Sequence, residues 1–140
     1  MIEQARRAVA RAIGAAPLEI TFTSGGTEAD NLALQGVLRA LRAAGRPAGL
    51  LTTAIEHPAV LATARALAQD GHPLVLLPVD RCGRIDPELL RELLRAHPEL
   101  GLVSLAAANH ELGNAYDLPA LVRVVREAAP TVLVHSDAVQ

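Results

Sequence analysis

Four short clusters of small and polar residues carry most of the chemistry available to this chain, and each follows an apolar stretch. They are Ser24-Gly25-Gly26-Thr27-Glu28, Glu56-His57, Asn109-His110-Glu111 and His135-Ser136-Asp137. In the first, two glycines let the backbone approach a ligand closely. The helix expected to begin there offers free N–H groups and the positive end of its dipole, so an anion, most naturally a phosphate, is the expected occupant. The spacing is neither the P-loop nor the dinucleotide fingerprint. The competing reading is a helix start capped by Thr27. Asp137 ends an apolar run and is expected to be partly buried, which calls for a partner: a protonated ring nitrogen of a bound molecule, an internal arginine or a backbone cap. His57 precedes Pro58 at a strand-to-helix junction. Its ring can stack on a planar ligand, shuttle protons near neutral pH, or simply face solvent. His72, His97 and His135 lack ligand spacing, so no metal site is expected. Cys82 lies between Arg81 and Arg84, without an accompanying base, and reads as a turn residue.

The elements that position these clusters alternate along the chain. Residues 2–13 have a helical pattern ended by Gly14 and Pro17, and residues 18–23 (LEITFT) read as a short strand. Residues 27–44 form a helix with Leu32, Leu34, Val37, Leu38 and Leu41 on one broad apolar face. A strand at 49–55, a helix at 58–70 and a strand at 73–79 follow. Asp86 is placed as the N-cap, with Pro87 in the first turn, of a helix running to about His97. A buried strand at 100–108, a helix at 117–129 and a strand at 131–135 complete the order. Near-continuous apolar strands alternating with helices predict an α/β fold in three layers, a mostly parallel sheet with helices on both faces. Such sheets bind ligands beyond the carboxyl ends of their strands, where all four clusters fall.

Composition narrows the function classes. The chain has 140 residues and a net charge of −2, with one Phe, one Tyr and no Trp. Without a basic stripe or aromatics for base stacking, nucleic-acid binding is not expected. No apolar run approaches the roughly 20 residues of a membrane span. A single cysteine makes no internal disulfide, and the charged first residues do not resemble a signal peptide, so a cytoplasmic location is expected. All 13 basic residues are arginine, so no side chain carries a primary amine.

The runs ITFTSGGTEADNLAL, TTAIEHPAV, AANHELGN and VHSDAVQ, in this order, resemble the cysteine desulfurase family of pyridoxal-phosphate enzymes, within the class V aminotransferase group. The resemblance implies the large cofactor-binding domain of the fold-type I architecture, with residues 1–140 a part of that domain and no second domain present. Position by position, Gly26 and Thr27 resemble the residues that hold the cofactor phosphate. His57 resembles the histidine that stacks on the pyridine ring and assists proton transfer, so it is also the catalytic candidate. Asp137 resembles the aspartate that pairs with the pyridinium nitrogen, and Gln140 the glutamine near the phenolic oxygen. At His110 the family more often has Asn, and His110 takes that cofactor-side position here.

The family's reaction converts cysteine to alanine and an enzyme-bound persulfide. The resemblance therefore implies cysteine as substrate, a homodimer, and a sulfur-acceptor protein in iron–sulfur cluster assembly. The lysine and mobile cysteine of the family correspond to positions beyond Gln140, and Cys82 does not match the latter. The 140 residues alone are therefore expected to be inactive in that reaction. Two alternatives stand beside this reading: another class V enzyme, such as a selenocysteine lyase or aminotransferase, and a non-catalytic α/β module for binding or assembly.

Overall fold

The computed structural model describes residues 1–140. Helix α1 spans Ile2–Ile13 and is followed by a 3₁₀ turn at Pro17–Glu19 and by helix α2, Gly26–Ala43. Then come β1 (Gly49–Thr53), α3 (Pro58–Gln69), β2 (Leu74–Leu77), α4 (Pro87–Ala96), β3 (Leu100–Ser104), α5 (Leu118–Ala128) and β4 (Leu133–His135). The four strands form one sheet in the order β2-β1-β3-β4, and every neighbouring pair is parallel. All strands therefore end at one edge.

Local chemistry explains most boundaries. Asp86 caps α4 by accepting the Glu88 N–H at 2.9 Å, and Pro87 occupies the first turn. Asp117 caps α5 in the same way through the Ala120 N–H, also at 2.9 Å. Gly14 ends α1 in the left-handed region, at φ 71°.

The two-residue period of the strands divides the core into two layers. Leu50 and Leu102 face α2 and α3, where they join Leu34, Leu38, Val60 and Leu67. Leu51 and Val103 face the opposite way and pack with Leu90, Leu94, Leu121 and Val125 of α4 and α5. The expected three-layer α/β fold is present.

One element differs from expectation. Residues 18–23 are not a strand. Pro17 opens a 3₁₀ turn, and the Glu19 carboxylate accepts the Ala16 N–H at 2.7 Å, which satisfies that backbone locally. No strand of the sheet pairs with this segment, and Leu18 is 97% exposed. A pattern with strand propensity became irregular because β structure needs a neighbour.

All four strands are also shorter than expected, at 49–53, 74–77, 100–104 and 133–135 instead of 49–55, 73–79, 100–108 and 131–135. The residues beyond β1 and β3 leave the ladder to build loops at the carboxyl edge. Between β3 and β4 the pairing continues loosely, through Leu105 N–H to His135 O at 3.2 Å and Ala107 N–H to Asp137 O at 2.8 Å. No helix is long and apolar enough to cross a membrane.

Gly101 shows how tightly the sheet packs. A Cβ there would land on the Pro47 carbonyl oxygen and lie 2.7 Å from Leu41 Cδ1. Gly101→Ala is therefore expected to lower stability by about 1–3 kcal/mol. Leu76→Ala, on a side chain 48% exposed, should change it far less. Urea denaturation of the two variants checks this; equal midpoints would contradict the packing described.

Candidate functional site

The carboxyl edge of the sheet closes around a pocket of about 230 Å³ lined by Gly26, Thr27, Asp30, His57, His110, Asp137, Val139 and Gln140. All six residues expected from the sequence, Gly26, Thr27, His57, His110, Asp137 and Gln140, are brought together here. Two helices and two loop segments supply them: the first turns of α2, the N-cap of α3, the loop after β3 and the segment after β4.

At one end of the pocket α2 begins. Its N-cap position is Gly25, with no side-chain cap, so Thr27 is not the capping residue. The first-turn amides of Gly26, Thr27 and Glu28 have no intrahelical acceptor, which leaves donors for an anion. Glu28 does not fill this role. Its carboxylate turns back onto Ser24, accepting from the backbone N–H at 2.7 Å and the hydroxyl at 2.5 Å, and these bonds pull its pKa down. A Cβ on Gly26 would sit 2.7 Å from Val139 Cγ2, so the segment after β4 closes on the helix start where a glycine leaves room for that side chain.

His57 is the N-cap of α3. Its Nδ1 accepts the Ala59 N–H at 3.1 Å, which leaves Nε2 as the free ring nitrogen. The ring lies 5.2 Å from that of His110, tilted by 57°. His110 comes from a loop held by Asn109, which is 4% exposed. Asn109 donates to the Ile55 carbonyl at 2.6 Å and accepts the N–H groups of Glu111 and Leu112 at 3.0 and 2.8 Å. Asn109 thus shapes the loop, while His110 meets the pocket.

The same pocket also carries carboxylates. Asp137 is half-buried, and its Oδ1 accepts the Val139 N–H at 3.1 Å. Of the partners weighed from the sequence, the backbone cap is present and an arginine is not, since no arginine lines the pocket. Asp30, on α2, is 5% exposed. Burial pushes its pKa up, Asp137 adds to the rise, and His57 opposes it. Behind them lies Glu56, also 5% exposed, whose Oε1 accepts from Thr53 Oγ1 at 2.9 Å and Ala106 N–H at 3.2 Å. Its Oε2 has no partner. Burial raises the Glu56 pKa, against the two hydrogen bonds and with smaller contributions from Asp137 and Asp30.

Sequence reasoning missed Asp30 and Val139 as pocket residues. Asp30 reads as an ordinary polar position of a helix; its only signal is that it lies one turn from Gly26, on the same face. Val139 is an apolar loop residue with no chemical signal at all. Of the other histidines, His72 is buried against the Ala48 carbonyl at 2.8 Å, and His97 pairs with Glu99 at 2.8 Å. A larger cleft of about 480 Å³ lies between the starts of α4 and α5. Its Asp117 is committed to the helix cap, and no comparable cluster of acids and histidines converges there.

The Aminotransferase class-V family profile matches residues 1–140. A cysteine desulfurase IscS of Dictyoglomus turgidum (strain DSM 6724 / Z-1310) is 41% identical over 139 residues, covering 99% of this chain and 34% of that protein. A solved structure of a NifS-like protein superposes with a TM-score of 0.90 at 38% identity, over 99% of this chain and 37% of the other. A structure of the protein C-DES, described as having glycine covalently linked to its PLP cofactor, superposes with a TM-score of 0.79 at 26% identity, over 99% of this chain and 36% of the other. The chain thus spans about a third of the length of the relatives it matches.

The raised pKa of Glu56 fixes a sign for stability. A carboxyl that holds its proton more tightly when folded stabilises the fold fully below its unfolded pKa, and that contribution is lost as pH rises through the folded pKa. Glu56→Gln keeps the acceptor for Thr53 and Ala106 and removes the ionisation. Its stability relative to the parent is therefore expected to increase as pH rises from about 4 to about 7. Urea unfolding of both proteins across that range measures the difference, and a constant gap would contradict a buried, titrating Glu56.

Proposed function

The chain belongs to the aminotransferase class V family, and from that premise we propose that it forms the cofactor pocket of a cysteine desulfurase-like enzyme using pyridoxal 5′-phosphate. The observation that carries the reading is the mixed lining of one small pocket, which holds free helix amides at Gly26 and Thr27 together with carboxylates at Asp30 and Asp137. A molecule anionic at one end and cationic at the other fits it. The match to cysteine desulfurases over 99% of the chain supports this choice within the family.

The residues present fit the group. The α2 amides would hold the phosphate, with Gly26 giving room that a Cβ would fill against Val139. Asp137, with one oxygen capped by Val139 N–H and the other uncommitted, would keep the ring nitrogen protonated. When bound, the cofactor supplies an electron sink for the substrate's reacting carbon. His57 and His110 would border the ring, His57 holding a proton at Nε2 while Nδ1 caps α3. Gln140 would stand beside the phenolic oxygen.

The chain contains no lysine, so the amine that anchors the cofactor carbonyl is not among these residues. The activity of the whole protein is proposed as conversion of cysteine to alanine with transfer of sulfur. A cytoplasmic homodimer would then pass that sulfur to an acceptor protein in iron–sulfur cluster assembly.

Pyridoxamine 5′-phosphate, which needs no lysine to bind, tests the pocket in this chain directly. Binding is expected, and Asp137→Asn should weaken it about tenfold or more, the equivalent of about 1.4 kcal/mol or above. Gly26→Val, which fills the space against Val139, should abolish it. Titration calorimetry or fluorescence measures all three. Failure of the parent chain to bind, or equal binding by the Asp137 and Gly26 variants, would remove the reading. With pyridoxal phosphate and borohydride, no interior peptide should become labelled; a labelled interior residue would show an anchor other than lysine.

A further inference from the structure

From Asp30 in the pocket lining a row of buried side chains runs inward, and the proposed cofactor contacts assign no role to His135 or Ser104. Asp30 Oδ1 is 3.6 Å from His135 Nε2, and the two side chains are 6% and 17% exposed. On its other side His135 Nδ1 is 2.9 Å from Ser104 Oγ. Ser104 ends β3 and is paired in register with His135 on β4. The three side chains thus run in a line from α2 across β4 to β3. Asp137 lies two residues beyond His135, so its side chain leaves the extended segment on the same face.

We propose that Asp30 and His135, backed by Ser104, are positioning residues that share one proton, and that this proton decides whether Asp137 meets a ligand as the only negative charge or as one of two. The role toward Asp137 rests on the cofactor reading; the shared proton does not.

Three observations lead there. First, neither residue comes within salt-bridge distance of any other charged side chain. The charged groups facing Asp30 are Asp137 from the β4 segment, His57 from the start of α3 and, from farther back, Glu56. Asp137 is the group that faces His135 besides Asp30. Second, burial acts on the pair in opposite directions. It raises the Asp30 pKa and lowers that of His135, with Asp137 partly opposing the second shift, so the two sites approach each other in proton affinity. Third, Ser104 can donate to or accept from Nδ1, so either charge state of the ring keeps its partner.

Histidine side-chain ¹⁵N NMR of the chain, with the Asp30 carboxyl carbon followed in parallel, tests the pair. In the parent, the Asp30 carbon is expected to show an inflection at the His135 midpoint. In Asp30→Asn the His135 midpoint is expected to fall by about one pH unit, while His72 and His97 stay in place. An Asp30 carbon without that inflection overturns the inference and needs no variant, which guards against a variant that fails to fold. An unchanged His135 midpoint in a folded Asp30→Asn overturns it as well. The affinity for pyridoxamine 5′-phosphate should step with pH at the His135 midpoint in the parent and lose that step in Asp30→Asn. Binding that persists without a step in the parent overturns the positioning role. Absence of binding at any pH counts against the cofactor reading, and the titration then still decides the shared proton.

Discussion

Asp30, Glu56 and Asp137 converge behind a pocket that no arginine lines, in a chain without lysine. Like charges held in a poorly solvated place raise each other's proton affinity, and the upward shifts of Asp30 and Glu56 have that cause added to burial. Such a cluster is stabilised by protons or by a cation, because the residues lining this pocket supply no fixed positive charge. In the same pocket the start of α2 presents unpaired amides, which favour negative charge. The two features impose opposite demands on one ligand. The rest of the site, from the missing side chain at Gly26 to the bond between Val139 and Asp137, serves to bring both within reach of a single small molecule.

The sheet enforces that juxtaposition. Parallel strands deliver their carboxyl ends to one edge, and β1 and β3 stop early enough to leave loops there. The backbone bonds from Leu105 to His135 and from Ala107 to Asp137 extend the β3–β4 pairing past the ladder. Asp137 is therefore placed by main-chain geometry, and its side chain is free to face a ligand. Burial on both faces of the sheet makes this placement rigid. Leu50 and Leu102 on one side and Leu51 and Val103 on the other lock the register, because a one-residue slip would exchange the two core layers.

Much of this was legible in the residues, for identifiable reasons. Asp86-Pro87 announces a helix because the cap bond is local, formed within two residues of the aspartate. The four clusters announce one site because strand–helix alternation puts every strand end at the same edge. The segment at 18–23 misleads for the opposite reason. Its alternation is genuine, but strand formation depends on a partner that no local pattern encodes, and Pro17 with Glu19 supplies a local competitor. Asp30 and Val139 escape notice because their importance is relational. One matters through burial against His135 and Asp137, the other through a glycine that lies more than a hundred residues away in sequence.

His57 shows how the scaffold limits the chemistry it carries. Its Nδ1 accepts the Ala59 N–H, so in the neutral ring the proton resides on Nε2. A histidine in this state offers the pocket a donor. To act as a base through Nε2 it would first have to move its proton to Nδ1 and give up the cap of α3. A cap bond contributes on the order of 1 kcal/mol, so the donor form is favoured by a comparable amount. His110, tilted by 57° at 5.2 Å, has no such backbone bond to Nδ1 or Nε2, and its nearest acid, Glu111, is exposed and 3.9 Å away. Of the two imidazoles, the one with a freely exchangeable tautomer is His110. Division of labour follows from backbone bonding alone: His57 is set to donate, and His110 is free to accept.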